Sequence, residues 1–202
     1  MLCSVTVSQS LLYQSEQKLN EGATRIKGVL LTGSVGVGKT TLAVEMSKVL
    51  GDNGARVVVI DLDWLGWLDG FEIASPELSE LICDNVRAVW NNFKRREPTH
   101  VILCRFVHRR EEVERLRASV PDVEVVVARV VASGDTIQKR LGGRDVGAEL
   151  EEHLTEATRM TKLLDEANLT NLQVVNDDRD IREVALQALR SLTWSPTGAP
   201  EA

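Results

Sequence analysis

Nine residues, Gly33-Ser34-Val35-Gly36-Val37-Gly38-Lys39-Thr40-Thr41, constrain this chain more than any other stretch. They follow the apolar run Val29-Leu30-Leu31 and lead into Leu42-Ala43-Val44-Glu45-Met46. Gly33, Gly38, Lys39 and Thr40 occupy the fixed places of G-x-x-x-x-G-K-[ST]. A strand, a glycine-rich turn and a helix in that order make a phosphate cradle. The backbone N–H groups of Gly33, Ser34, Val35, Gly36, Val37 and Gly38 are expected to turn inward around phosphate oxygens. The helix start adds its positive end. Lys39 is expected to reach the β- and γ-phosphates, and the Thr40 hydroxyl to ligate Mg²⁺. Thr41 is assigned to the α-phosphate. The cofactors this implies are ATP and Mg²⁺.

The rest of the chain alternates as such a start requires. Short β-branched runs recur at Val29–Thr32, Val57–Ile60, Val101–Cys104, Val123–Val131 and Leu172–Val175. They are mostly apolar, as expected of strands covered on both faces of a parallel sheet. Helical periodicity fills the gaps. Ser75-Pro76-Glu77 has an N-cap, a proline at the first position and an acid in the first turn. Leu78, Ile82, Val86, Val89 and Phe93 then recur at helical spacing. Val113, Leu116 and Val120 mark a shorter helix; Leu150, Leu154, Ala157 and Leu164 mark a longer one. Ile181, Val184, Ala185, Ala188 and Leu189 mark the last. Strands alternating with helices predict a three-layer α/β/α sandwich with right-handed crossovers.

With 202 residues the chain predicts one domain. The boundaries read as an extension over 1–24, a domain over 25–193 with a lid around 139–149, and a disordered tail over 194–202. The net charge of −6 argues against broad contact with nucleic acid or an anionic membrane. Cys3, Cys83 and Cys104 are odd in number and match no metal spacing, which suits a reducing, cytoplasmic setting. Cys83 and Cys104 lie in apolar runs and read as core. No apolar run approaches the roughly 20 residues of a membrane span, and no basic stretch marks a leader.

The second strand ends in Asp61-Leu62-Asp63, at the sheet edge where open α/β folds bind ligands. On an extended chain the two acids point the same way. One is expected to hold Mg²⁺, here assigned to Asp61. The other is expected to take the proton of an attacking hydroxyl, or to hold that hydroxyl in line. The third strand carries no acid at its end; Arg105, His108, Arg109 and Arg110 follow instead. Arg105 either faces an anionic substrate or ties to a neighbouring acid, and His108 reads as a surface residue. Trp64 and Trp67 either stack on a flat substrate group or pack the lip of the core. Asp84, Arg87 and Asn91 share one helix face, which either lines an acceptor pocket, with Arg87 as its cation, or is solvated. Past the fourth strand, Ser133 or Asp135 caps a helix carrying Lys139 and Arg140. Gly142-Gly143 breaks it before Arg144. Arg140 and Arg144 flank this hinge and suit a lid that neutralises charge on a transferred phosphoryl group.

These marks together resemble the small P-loop kinases, the group of adenylylsulfate, gluconate, shikimate and nucleoside monophosphate kinases. The resemblance rests on GSVGVGKT, the DLD ending the second strand, R-x-x-x-R at Arg140 and Arg144, and VVNDDRD before the last helix. It implies a five-stranded parallel sheet in the order 2-3-1-4-5. It also implies contact of Asp61 or Asp63 with Mg²⁺ or acceptor, lid roles for Arg140 and Arg144, and a place beside adenine for the loop from Asp177 to Arg179. The acceptor patterns of adenylylsulfate kinases after the second strand are missing. The expected activity is transfer of the γ-phosphoryl of ATP to a hydroxyl of a small molecule. The rivals are a GTPase switch, for which Asp63 to Gly66 spells D-x-x-G without a later N-K-x-D, and an ATPase or regulatory module with no acceptor. A partitioning-type ATPase would carry an early lysine in the loop, where Ser34 and Val35 stand.

Overall fold

The structure, a computed structural model, describes residues 25–66 and 75–194. The expected extension, Cys3, Trp67 and the tail beyond Trp194 lie outside the described residues. Five strands form one sheet: β1 (Ile26–Thr32), β2 (Val57–Asp61), β3 (His100–Cys104), β4 (Val123–Val131) and β5 (Leu172–Val175). All pairings are parallel and the order is β2-β3-β1-β4-β5, as expected. Helices alternate with them: α1 (Lys39–Asp52), α2 (Pro76–Lys94), α3 (Arg110–Ser119), α4 (Gly134–Gly142), α5 (Ala148–Ala167) and α6 (Ile181–Ser191). The β-branched runs match the strands to within a few residues at their starts, because a strand buried on both faces must be apolar along its length.

Side-chain alternation on the strands builds two cores. On one face Val29, Leu31, Ile102, Cys104 and Val130 meet Leu42 and Met46 of α1 and Val184 and Leu189 of α6. On the other, Leu30, Val101, Leu103 and Val127 meet Ile82, Val86 and Trp90 of α2 and Val113 and Leu116 of α3. Cys83 and Cys104 are both buried free thiols. The helix starts are those the sequence specifies. The Ser75 hydroxyl accepts from the Leu78 N–H at 3.2 Å, and the Ser133 hydroxyl from the Thr136 N–H at 3.3 Å. The sheet order also fixes where the site must lie. The chain leaves β1 toward β2 on one side and later crosses to β4 on the other, opening a crevice beyond the carboxyl end of β1.

Candidate functional site

The loop from Gly33 to Gly38 sits in that crevice. Gly36 and Gly38 have φ of 81° and 90°, a left-handed backbone that glycine enters at little cost. Gly38 also has no room for a side chain, since a Cβ there would stand 2.7 Å from the Asn176 side-chain nitrogen. The loop is braced from behind. The Val37 carbonyl accepts from Asn176 Nδ2 at 2.8 Å and from Arg140 Nη1 at 3.1 Å, while Arg140 Nη2 donates to the Asn176 carbonyl at 2.9 Å. Asn176 is buried at the end of β5. Arg140 thus reaches the loop from α4, with its guanidinium engaged on two backbone carbonyls.

At the front of the loop, Lys39 Nζ folds back onto the carbonyls of Gly33 and Ser34, each at 3.0 Å. Burial pulls its amine below the usual lysine range, with Asp63 opposing that shift. Asp61 and Asp63 take separate tasks. The Thr40 hydroxyl donates to Asp61 Oδ2 at 2.6 Å. A hydroxyl and a carboxylate oxygen meeting at the loop mouth are the hard oxygen donors that Mg²⁺ takes, so these residues fit that ion. Asp63 is not on the strand. β2 ends at Asp61, and Asp63 opens a short 3₁₀ turn, Asp63–Leu65, with its N–H on Asp61 Oδ1 at 3.2 Å. The extended-chain argument for parallel acids therefore fails on backbone geometry. The turn instead brings the Asp63 carboxylate within 3.2 Å of Arg105 Nη1. The Asp63 side chain is 53% exposed at the cavity, and the desolvation it does undergo raises its carboxyl above the usual carboxylate range, against the pull of Lys39 and Arg105. Behind them, Cys104 is pushed up to about 12 by burial and stays a thiol.

A cavity of about 880 Å³ joins these parts. Gly36, Gly38, Lys39, Thr40 and Thr41 line one side, with Asp63, Arg105 and Phe106 at the ends of the neighbouring strands. Arg140 and Arg144 line it from the lid region, and Asn176 and Arg179 from beyond β5. Arg179 holds Gln187 at 2.7 Å. Arg105 is 4% exposed, a buried cation at the cavity wall. The segment expected to act as a lid is short: α4 runs to Gly142, and α5 begins at Ala148. Trp64 is 72% exposed, so it does not pack the lip of the core, and it is not among the lining residues. Arg87 pairs with Asp84 at 2.6 Å on α2, also away from the lining. His108 is not a surface residue; it is largely buried and stacks on Phe106, ring centroids 5.1 Å apart.

Among the lining residues that the sequence reading did not assign to the site are Phe106, His153, Glu156, Met160 and Asn176. His153, Glu156 and Met160 follow at i, i+3 and i+7 and so share one face of α5. The apolar stripe of Leu150, Leu154 and Ala157 masks that mixed face. Asn176 is the polar residue directly after an apolar strand, which was its one visible signal.

The match to the CobQ/CobB/MinD/ParA nucleotide binding domain spans residues 28–187, most of the chain. The chain belongs to this family. No protein of curated function matches it. Its fold is that of several small kinases. A sugar kinase from Janibacter sp. HTCC2649 superposes with a TM-score of 0.61 at 17% identity, over 87% of this chain and 99% of that one. A shikimate kinase from Bacteroides thetaiotaomicron gives 0.61 at 18%, over 84% and 99%. A shikimate kinase from Acinetobacter baumannii, solved with shikimate, gives 0.53 at 16%, over 86% and 97%. The chain is a P-loop nucleotide-binding domain with a kinase-like sheet. Among the described residues, no helix is long and apolar enough to cross a membrane.

Proposed function

We propose that this protein moves the γ-phosphoryl group of ATP to a hydroxyl of a small molecule, with Mg²⁺ held at Thr40 and Asp61. The observation that carries the reading is the position of Asp63. Its carboxyl lines the same cavity as Lys39 and sits against the buried Arg105, clear of the Thr40–Asp61 pair. The cavity beside it leaves room for an organic hydroxyl.

The acceptor hydroxyl gives its proton to Asp63 as its oxygen bonds to the γ-phosphorus. The bond from that phosphorus to the β–γ bridging oxygen breaks, and its electron pair leaves on ADP. A carboxyl raised toward neutrality is a better proton acceptor than an ordinary aspartate. Lys39 and Arg144 place positive charge around the transferred group, where charge spreads over the equatorial oxygens. Mg²⁺, when bound, neutralises charge on the β- and γ-phosphates. Arg140 and Asn176 keep the loop in the shape that holds those phosphates, and Arg179, which lines the cavity from beyond β5, is assigned to the adenine. Two buried thiols suit a reducing cytoplasm.

The family match favours one other reading, an NTPase or regulatory module that uses the same loop with no acceptor. A GTP switch is less well supported. The Gly66 N–H, which would have to face a phosphate, closes the turn onto the Asp63 carbonyl at 3.4 Å.

Nucleotide binding is the first test. Mg·ATP at about 100 times its dissociation constant should add about 2.7 kcal/mol of stability. A thermal melt that neither ATP nor GTP moves at millimolar concentration removes the reading; a shift with GTP alone transfers it to the switch.

A further inference from the structure

The loop that carries Arg144 is fixed by a residue that lies outside the cavity. Asp145 is 5% exposed and is not among the lining residues, while Arg144 and His153 on either side of it both line the cavity. Arg144 Nε donates to Asp145 Oδ1 at 2.8 Å and Nη2 to Oδ2 at 3.0 Å, a two-pronged pair. His153 Nδ1 lies 2.7 Å from Asp145 Oδ2. The Asp145 N–H donates to the Leu141 carbonyl at 2.8 Å, at the end of α4. One carboxylate therefore ties the loop to α5, and its own backbone ties the loop to α4.

The chemistry of this triad is determined. The guanidinium beside Asp145 holds its carboxyl below the usual carboxylate range, with His153 assisting. An ionised carboxylate only accepts, so the proton on His153 must sit on Nδ1. Arg144 only donates, so its 3.4 Å approach to the same nitrogen is not a second hydrogen bond. The two bonds to Asp145 engage two of the guanidinium's five N–H groups, and Arg144 itself lines the cavity. Asp145, Glu149 and His153 also bring ligand atoms within 4.8 Å of one another. A guanidinium across both oxygens of Asp145 makes that cluster poor for a cation.

We propose that Asp145 is a positioning residue for phosphoryl transfer: it aims the Arg144 guanidinium at the transferred phosphoryl group and anchors the loop that carries it to α5 through His153. This inference rests on the phosphotransferase reading. Its energetic logic is preorganisation, since a guanidinium already aimed needs no reorganisation as the transition-state charge develops. The carboxylate on Nδ1 fixes which ring nitrogen of His153 carries the proton, and with it the orientation of the ring.

The test uses Asp145→Asn in the full chain, with ADP and aluminium fluoride as the probe of the transferring state. Two readouts are taken. ¹⁵N NMR reports the His153 tautomer and the Arg144 Nε–H resonance; calorimetry reports binding of the probe and of Mg·ATP. The parent should show Nδ1–H on His153 and a protected Arg144 Nε–H. The variant should lose both, bind the probe about 10- to 100-fold more weakly, as when an outer carboxylate that orients a site residue is removed, and bind Mg·ATP as the parent does. Unchanged NMR signals in Asp145→Asn overturn the clamp itself, whatever the protein's activity. Changed signals with unchanged probe binding overturn its role in transfer. A parent that binds the probe no better than ADP alone sinks the phosphotransferase reading and this inference with it, while the NMR result still reports the clamp separately. If Asp145→Asn does not fold, His153→Gln at a partly exposed position gives the second arm. It should weaken probe binding and leave the Arg144 Nε–H protected, and parent-like probe binding counts against the anchoring role.

Discussion

Replacing Gly38 with alanine should damage the loop in two ways whose sizes follow from its surroundings. Gly38 holds φ 90° and ψ 31°, and a residue with a Cβ loses about 1–2 kcal/mol in a left-handed conformation. The new methyl would also stand 2.7 Å from Asn176 Nδ2 and 3.7 Å from Arg140 Nη1. Asn176 is 2% exposed and held on the Val37 carbonyl at 2.8 Å, so making room for the methyl breaks that bond. Leaving a buried amide unpaired costs about 1–3 kcal/mol. The sum, about 2–5 kcal/mol, is a large share of a total stability of about 5–15 kcal/mol. For a domain of this size it should lower Tm by roughly 4–20 °C. ATP affinity should fall too, because the carbonyl that shifts belongs to the phosphate loop. Thermal unfolding and calorimetry read both effects. Gly51→Ala is the control: it lies in α1, nothing stands within 4 Å of its Cβ, and it should stabilise by about 0.5–1 kcal/mol. A Gly38→Ala protein that melts and binds ATP like the parent would refute the bracing of the loop by Asn176 and Arg140.

Three further substitutions separate the roles in the site. Lys39→Ala should leave the fold intact and slow single-turnover phosphoryl transfer about 100- to 1,000-fold, the usual loss when a transition-state donor is removed; parent-like turnover in the folded variant excludes the assignment. Asp63→Asn should cut turnover far more than ATP affinity. It also carries a pH signature. The folded-state carboxyl is raised, so its stabilising contribution is complete below the unfolded value, near 3.8, and is lost as pH rises through the folded value. The asparagine variant skips that loss, so its Tm should gain on the parent's as pH rises above about 3.8; a constant difference contradicts the desolvation argument. Arg144→Ala should lower the transfer rate while ATP affinity stays within about twofold, the mark of a contact made only in the transition state. Equal losses in both would move Arg144 to ground-state nucleotide binding.

The strands and helices were legible because each is set by a short-range rule. Val123–Val131 must be strand since no other structure buries both faces of such a run, and Ser75-Pro76 must start a helix since cap and proline agree. The phosphate loop was legible because its glycines and Lys39 answer one local demand. What the sequence hid depends on contacts across the fold. Asp63 reads as a strand residue until the chain turns after Asp61. Arg140 reads as a lid cation, yet its nearest partners are the carbonyls of Val37 and Asn176, distant in sequence and adjacent only once β5 has joined the sheet. Trp64 reads either as a stacking surface for substrate or as a packing residue, and it ends up 72% exposed on the turn and away from the cavity lining. Asp145 could not be singled out at all. Its importance lies in being buried between two cavity residues, and burial of an acid after Gly-Gly-Arg has no local signature.

The central claim is that the γ-phosphoryl group of ATP ends on an organic hydroxyl. The direct measurement is the fate of that group, followed by ³¹P NMR, when the protein meets Mg·ATP and pools of hydroxyl-bearing small molecules. The account predicts slow release of inorganic phosphate with ATP alone. It predicts faster ADP formation with one pool and a phosphate-ester resonance that grows in step with ADP, both abolished by Asp63→Asn. Rapid hydrolysis to inorganic phosphate that no pool alters, and that Asp63→Asn leaves unchanged, would contradict it.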